Sequence, residues 1–373
     1  MSDPRKGYPS ASAMQQLALC PGSHALETSL DLPESPGPYA TMGTAIATYL
    51  EAVRSKRVGV PILARAEHEI AQACMKGVDI AKEKIAAEVG DFFESKLTLW
   101  AAEVRLWGLT SRTGRGFSGR FDLAAFNKSA DIAVIFDDKS GWGDVPPAAT
   151  NLQLRTLAVL AWKTWLINNI YVVLNQPAKG EPSIAKYDKL ALIAATAEIE
   201  SYIDAAYTPG ADRRPTPLGC KFCTAKSVCP QAMEVLTKMA NGELSGDWST
   251  VLEQCEVAQL VIDDLRAKAK GVLANDPNAI PGWELKPGAT RSTVTDSKAA
   301  FGYVSDIVSS DDFMGCCSVR IGDLAKVYQS KGSFKNLKAA RSALQTRLDS
   351  VITRKQSEPS LQRIGADSNK EEA

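Results

Sequence analysis

Three residues in the stretch "FSGRFDLAAFNKSADIAVIFDDKSG", Phe117 to Gly141, have the types and spacing for chemistry: Asp122, Asp137 and Lys139. Asp137-Asp138-Lys139 closes an apolar strand as D-x-K. Residues two apart on a strand share a face, so Asp137 and Lys139 point together and Asp138 points away. Asp122 sits in the preceding strand and can lie beside Asp137 if the turn is tight. Two carboxylates with carbonyls and water make a hard oxygen site for Mg²⁺ or Mn²⁺. An adjacent ammonium orients a water and stabilises charge building on a phosphate oxygen. That is a phosphodiester-hydrolysis site in outline. Gln153, on the helix after the turn "SGWGD", can hydrogen-bond the water or the phosphate. The competing reading of D-x-K alone is a salt bridge at a strand end, worth ~0–1 kcal/mol.

A second constellation is "LGCKFCTAKSVCP", with Cys220, Cys223 and Cys229 spaced C-x2-C-x5-C. A metal centre needs a fourth ligand, and Cys20, also followed by Pro, is the candidate. Four thiolates suit zinc or an iron–sulfur cluster. Structural zinc usually takes two C-x2-C-like pairs and the second is missing, which favours [4Fe–4S]; incidental buried thiols are the alternative. Cys74, Cys255, Cys316 and Cys317 lack such spacing and read as structural.

The chain that must position these groups has 373 residues, enough for two or three domains, with 45% hydrophobic and 23% charged residues. Net charge is zero, so any DNA contact must use local basic patches. No apolar run is long enough to span a bilayer, and "MSDPRKGYPSASAM" lacks a signal-peptide core. A cytoplasmic protein is expected, and its eight cysteines are not expected to form disulfides.

Periodicity predicts a disordered lead over 1–10, a short helix in "SASAMQQLALCPGS" capped by Ser10 or Ser12, and helices in "TMGTAIATYLEAVRS" and "PILARAEHEIAQACMKGVDIAKEKIAAE". Strands follow in "KLTLWAAEVRLWGL", 117–126 and 131–137, then a helix in "NLQLRTLAVLAWKTWL" and a buried strand in "NIYVVLNQ". A short strand and a helix end the run before the cysteines. Antiparallel strands followed by a strand–helix–strand connection predict an α/β (α+β) mixed sheet flanked by helices. Beyond the cysteines, 231–356 reads as a mostly helical extension and 357–373 as a disordered tail.

Taken in order, "LxxCPGS", "GTAIATYLE", "GRFD", "VIFDDKSG", "NLQLRTLAVLA" and "CKFCTAKSVCP" resemble the RecB-like branch of the PD-(D/E)XK nucleases, whose members carry a split Cys₄ iron–sulfur cluster. The likeness is greatest to an uncharacterised phage and prophage family that also continues with a segment like "IPGWELKPGATRSTVTD". It covers about residues 10–360. The resemblance implies a restriction-endonuclease-like core over 11–230 and a metal-dependent deoxyribonuclease, an exonuclease, acting in phage recombination or replication. It implies DNA as substrate, a phage or prophage source in a bacterial cell, and a single-strand annealing protein or helicase as partner. Asp122 and Asp137 match the metal-binding acids, Lys139 the lysine, Gln153 the glutamine, and Cys20, Cys220, Cys223 and Cys229 the cluster ligands.

Two positions depart from the family. Its "GTxxH" histidine is Ala47 here, and a tyrosine four residues after the glutamine is Leu157. The two histidines, His24 and His68, read as surface residues. Glu51, one helical turn beyond Ala47, can supply a carboxylate to the metal instead. The missing histidine keeps a second reading in play, a nuclease fold that has lost catalysis and retained DNA binding. Arg112, Arg115 and Arg120, in the loop "TSRTGRGFSGR" entering the metal strand, are candidate phosphate contacts. The basic stretch "KGSFKNLKAARSALQTR" either holds DNA or is solvated. Trp107, Trp162 and Trp165 read as core or sheet-edge residues rather than stacking platforms, and Trp142 lies close enough to D-x-K to touch substrate.

Overall fold

The computed structural model describes residues 7–30, 38–57, 59–243, 246–285, 298, 301–302, 305, 309–317, 321–332 and 334–348. Contacts divide the chain into one unit over Met1–Lys286 and another over Pro287–Ala373.

The first unit is built on a five-stranded mixed sheet ordered β1-β4-β5-β6-β7, where β1 is Leu99–Ala102, β4 Leu123–Asn127, β5 Ile132–Asp138, β6 Asn169–Asn175 and β7 Ser183–Tyr187. Within this sheet only β5 and β6 pair in parallel, and the helix α5, Leu152–Trp165, carries the chain between them. A parallel pair needs such a crossover, whereas the β4–β5 pair closes with a short turn.

Alternation along β5 sorts the two cores. Ala133 and Ile135 face one side with Ile170, Val172 and Leu174 of β6. There they meet α5, α1 (Met14–Leu19) and α6 (Lys189–Ala206). Val134 and Phe136 face the other side with Tyr171 and Val173, against Val78, Ala81 and Ile85 of α4, Arg65–Val89. Both faces being covered explains the continuous apolar runs of β5 and β6. α5 is buried on nearly every side, and Asn151 caps its start by accepting from the Leu154 N–H at 3.1 Å. Against α4 packs α3, Pro38–Arg54, through Ile46 and Leu50 on Ala71 and Cys74.

Two long strands of the sequence reading are each broken in two. "KLTLWAAEVRLWGL" forms β1 and then β2, Arg105–Leu109; 117–126 forms β3, Gly116–Arg120, and then β4. β2 and β3 pair in a separate two-stranded sheet. The breaks face each other: the Glu103 N–H donates to the Asp122 carbonyl at 3.2 Å, and the Phe121 N–H to the Val104 carbonyl at 3.3 Å. At the kink Glu103 takes φ of 56°, left-handed backbone that costs a residue other than glycine on the order of 1 kcal/mol. Strict alternation hides such a kink, because pattern reports faces and not backbone direction.

The short N-terminal helix is also split, with a 3₁₀ turn over Ala11–Ala13 ahead of α1, and neither Ser10 nor Ser12 caps it: their hydroxyls bond each other at 2.8 Å. Residues 8–10 are drawn onto the sheet, since the Pro9 carbonyl accepts from Ser118 N–H and Ser10 bridges Ser118. α2 spans Ser23–Ser29. After α6 come α7, Pro217–Lys221, α8, Pro230–Ala240, and α9, Trp248–Asn275. Val257 and Val261 of α9 pack with Cys220, Cys229 and Ala232.

The described part of the second unit is helical: α10 Ser310–Cys316, α11 Ile321–Lys331 and α12 Leu337–Arg347. Ala340 and Leu344 of α12 are buried, so the basic stretch has one apolar face. The expected tail over 357–373 and most of "IPGWELKPGATRSTVTD" lie outside the described residues. Among the described residues no helix is long and apolar enough to cross a membrane.

Candidate active site

The C-terminal end of β5 carries Asp137 and Asp138 onto opposite faces, and each meets a different helix. Asp137, 2% exposed, lies on the α5 side. Its Oδ2 is 2.7 Å from Lys139 Nζ. Its Oδ1 accepts from Gln153 Nε2 at 2.6 Å, and Gln153 Oε1 accepts from Lys139 Nζ at 3.1 Å. Gln153 is on the first turn of α5, so the Asn151 cap helps set this triangle. Burial alone would lower the Lys139 pKa, but the charge and hydrogen bond of Asp137, with Asp122 and Asp138 behind it, outweigh burial and raise it.

Asp138 lies on the α3–α4 side. Its Oδ2 is 2.5 Å from Arg54 Nη2, with the side chains 9% (Arg54) and 6% (Asp138) exposed. Its Oδ1 accepts from Asn175 Nδ2 at 2.5 Å, and Asn175 Nδ2 also donates to the Cys74 carbonyl at 2.8 Å. Burial raises the Asp138 pKa against the pull of Arg54 and Asn175. Gly77 is what lets Asn175 reach α4: a Cβ there would stand 1.9 Å from Asn175 Oδ1.

Asp122 joins the two halves. Its Oδ2 accepts from the Asp138 N–H at 2.6 Å. Burial, then Asp137, then Asp138 push its carboxyl up to about 8. This crowding of acids is the kind of surplus that a divalent cation offsets. Asp137 Oδ2, buried, has no hydrogen bond of regular geometry and only the Lys139 ammonium beside it. Asp122 also lines a cavity of about 60 Å³ with Ala47, Arg54, Glu103, Asp138 and Ser140, room enough for an ion with water. By donor type and surplus charge the acids fit a hard divalent ion; the cavity itself is lined by Asp122, Asp138 and Glu103 and not by Asp137. Among the described residues no group of three or more His, Cys, Asp or Glu side chains is arranged to hold a metal ion.

Asp137, Lys139 and Gln153 touch one another directly, and Asp122 is held next to them by the Asp138 N–H and feels the charge of Asp137. Ala47 lines the cavity, but Glu51 turns to Arg57 at 2.9 Å. Beside Asp122 and Asp138, the further carboxylate that lines the cavity is Glu103, opposite Asp122 at the kink and 3.1 Å from Arg120. Burial raises its pKa against Arg120. Sequence reasoning missed Glu103 and Arg54. The signals were there: Glu103 is an acid inside an apolar strand run, and Arg54 follows Ala47 by two helical turns on one face.

The candidate phosphate-contact arginines all have protein partners. Arg112 lies 3.4 Å from Asp204, Arg115 stands over the Tyr207 ring at 5.1 Å, and Arg120 pairs with Glu103. His24 packs edge-on against Tyr207, and His68 against Tyr49. Trp162 and Trp165 pack on the core, but Trp107 is 45% exposed and Trp142 74%. Trp142 tips the loop that Gln176 holds by donating to the Gly141 and Gly143 carbonyls at 2.8 and 2.7 Å.

Cys20, Cys220, Cys223 and Cys229 are all buried and line one small cavity, across about two hundred positions of sequence. The Arg214 N–H donates to Cys20 Sγ at 3.3 Å. Burial raises the Cys20 and Cys220 thiols and pushes Cys223 up to about 12. The donor set suits a thiolate-bound centre by type. The sulfurs are not arranged to hold a metal ion.

A family model for the PD-(D/E)XK nuclease superfamily matches residues 9–230. No curated protein matches the chain. Among solved structures, the crystal structure of SSO0001 is similar over 58% of this chain and 94% of that chain, at 15% identity and a TM-score of 0.26; so distant a likeness carries no weight for function. The family match ends at the residue after Cys229, takes in both D-x-K and its sheet, and covers more than half of the 373 residues: the chain belongs to the PD-(D/E)XK nuclease superfamily.

Proposed function

We propose that this protein is a divalent-metal-dependent deoxyribonuclease of the RecB-like branch, an exonuclease working in phage recombination or replication. The observation that carries the reading is the Asp137–Lys139–Gln153 triangle beside Asp122. Asp122 and Asp137 would hold Mg²⁺ or Mn²⁺, which when bound polarises the phosphate and neutralises charge on it. Glu103 is better placed than Glu51 to add a carboxylate, since it faces Asp122. Lys139, kept protonated by Asp137, positions a water by donating to it and stabilises negative charge on the phosphoryl oxygens. Gln153 fixes the Lys139 ammonium and the Asp137 carboxylate in one geometry. Arg112, Arg115 and Arg120 would contact the DNA backbone, a reading supported for Arg120 by its contact with Glu103 at the cavity.

Ala47 on the cavity wall supports a second reading, a nuclease fold that binds DNA without cutting it. The two are separated by digestion of linear DNA with metal and with EDTA, beside a DNA-binding measurement. Metal-dependent loss of label supports the enzyme. Binding without cleavage, insensitive to EDTA, supports the second reading.

For the cysteines we favour a structural [4Fe–4S] centre held by Cys20, Cys220, Cys223 and Cys229, with zinc as the alternative; the support is that all four line one small cavity, and their sulfurs would have to draw together to bind it. Such a centre would tie α1 to the segment after α6. Protein purified without oxygen is expected to be brown and to carry iron and sulfide, and Cys20→Ser or Cys220→Ser is expected to lose both and to melt at lower temperature. A colourless protein carrying zinc would decide for the alternative, and one carrying neither would remove the centre.

A further inference from the structure

β2 and β3 carry a feature that the metal site does not use. Arg105 and Arg120 are directly paired in the antiparallel register, so their side chains share a face. Trp107, two residues along β2, shares that face with Arg105. The Arg105 guanidinium lies 6.0 Å from the Trp107 ring centre, and the Tyr8 ring stands edge-on to Trp107 at 6.2 Å. Trp107 is 45% exposed and Tyr8 40%. Beyond them Tyr207 donates to the Gly116 carbonyl at 3.2 Å and lies under Arg115. At the other end Arg120 pairs with Glu103, which lines the cavity beside Asp122. Half-exposed rings thus alternate with guanidinium groups along the outer face of β2–β3, and at one end Arg120 reaches Glu103 of the acidic cavity.

Packing accounts for part of this strip: the Tyr8 ring lies on Gly116, and Arg105 donates to Ser118 Oγ at 3.0 Å. Trp107 and Tyr8 leave ring surface in water that the core on the opposite face, around Leu106 and Phe117, does not need. Guanidinium groups contact phosphates, and exposed rings stack on unpaired bases, whatever their sequence. In a duplex the bases are stacked on one another and offer no face to Trp107. From Arg105 to Leu109 β2 spans roughly 13 Å at about 3.4 Å per residue, the reach of a few extended nucleotides.

We propose that Tyr8 and Trp107, flanked by Arg105, Arg115 and Arg120, form a binding track for single-stranded DNA that leads an unpaired strand to the Asp122 cavity. This rests on the reading of the cavity as a DNA-cleaving site and names its substrate as an unpaired strand. Trp107 and Tyr8 hold bases by stacking, and Arg105 and Arg120 hold the backbone on the way in.

The test is fluorescence anisotropy of a labelled oligothymidylate and of a mixed-sequence duplex of equal length, in EDTA so that nothing is cut, with the full chain. Wild type is expected to favour the single strand. Trp107→Ala is expected to weaken single-strand binding about 5- to 100-fold, Tyr8→Ala less, Trp107→Phe least, with duplex binding unmoved in all three. Equal binding of the two DNA forms by wild type, or wild-type single-strand affinity in both Trp107→Ala and Tyr8→Ala, would overturn the track. Cleavage assayed in parallel separates the two ideas. An active enzyme indifferent to Trp107 and Tyr8 refutes the track alone. A protein that never cleaves yet loses single-strand binding with Trp107 refutes the enzyme and keeps the track.

Discussion

Lys139→Ala is expected to slow DNA cleavage on the order of 10²–10⁴-fold, with DNA affinity in EDTA little changed. The ammonium sits 2.7 Å from Asp137 and 3.1 Å from Gln153, held by two acceptors on two elements. It has one remaining direction in which to donate, and a group so fixed acts on charge that appears during reaction rather than on ground-state binding. The loss should therefore fall on kcat more than on KM. Lys139→Arg is not a conservative rescue, because the planar fork cannot meet Asp137 and Gln153 with the geometry of a point charge. Single-turnover digestion of an end-labelled strand reads this directly. Near-normal turnover by a folded Lys139→Ala protein would remove the lysine from the chemistry and return Asp137–Lys139 to an ordinary ion pair. Melting curves taken alongside distinguish a dead site from a lost fold.

Arg54→Ala is expected to destabilise the protein by about 3–5 kcal/mol. Asp138 is carried into the interior by the alternation of β5, because its neighbour Asp137 takes the other face. Arg54 and Asn175 are the partners that make its charge tolerable there. Removing the guanidinium leaves a buried carboxylate with no cation beside it, which is worse than removing both. The double variant Arg54→Met with Asp138→Asn should regain much of the loss. The Asp138 N–H also holds Asp122 Oδ2, so the single variant should lose activity as well as stability. Urea denaturation of the three proteins checks this; a loss under about 1 kcal/mol for Arg54→Ala would mean that water already reaches Asp138.

The sheet, its flanking helices and the D-x-K face were legible in the sequence because each rests on a short period. Asp137 and Lys139 share a face by strand geometry alone, and Asn151 and Gln153 announce the start of α5. What was not legible depends on contacts between distant residues. The kink at Glu103 and Asp122 arises where two ladders change direction, and no alternation pattern records that. Asp138 read as the residue pointing away, and so it does, but toward Arg54, 84 positions earlier. Trp107 read as a core or edge residue, since apolar alternation does not tell which face of a two-stranded ribbon is covered. Glu51 was named because it follows Ala47 by one turn; the Arg57 side chain nearby claims it instead.

The central claim is metal-dependent hydrolysis of DNA at the Asp122–Asp137–Lys139 site. Its most direct test is digestion of end-labelled single- and double-stranded linear DNA by wild-type protein purified without oxygen, with Mn²⁺, Mg²⁺ or EDTA. Progressive loss of full-length strand with Mn²⁺ or Mg²⁺, and none in EDTA, is the predicted result. Intact DNA at every metal concentration with folded protein, or degradation that continues in EDTA, would contradict it.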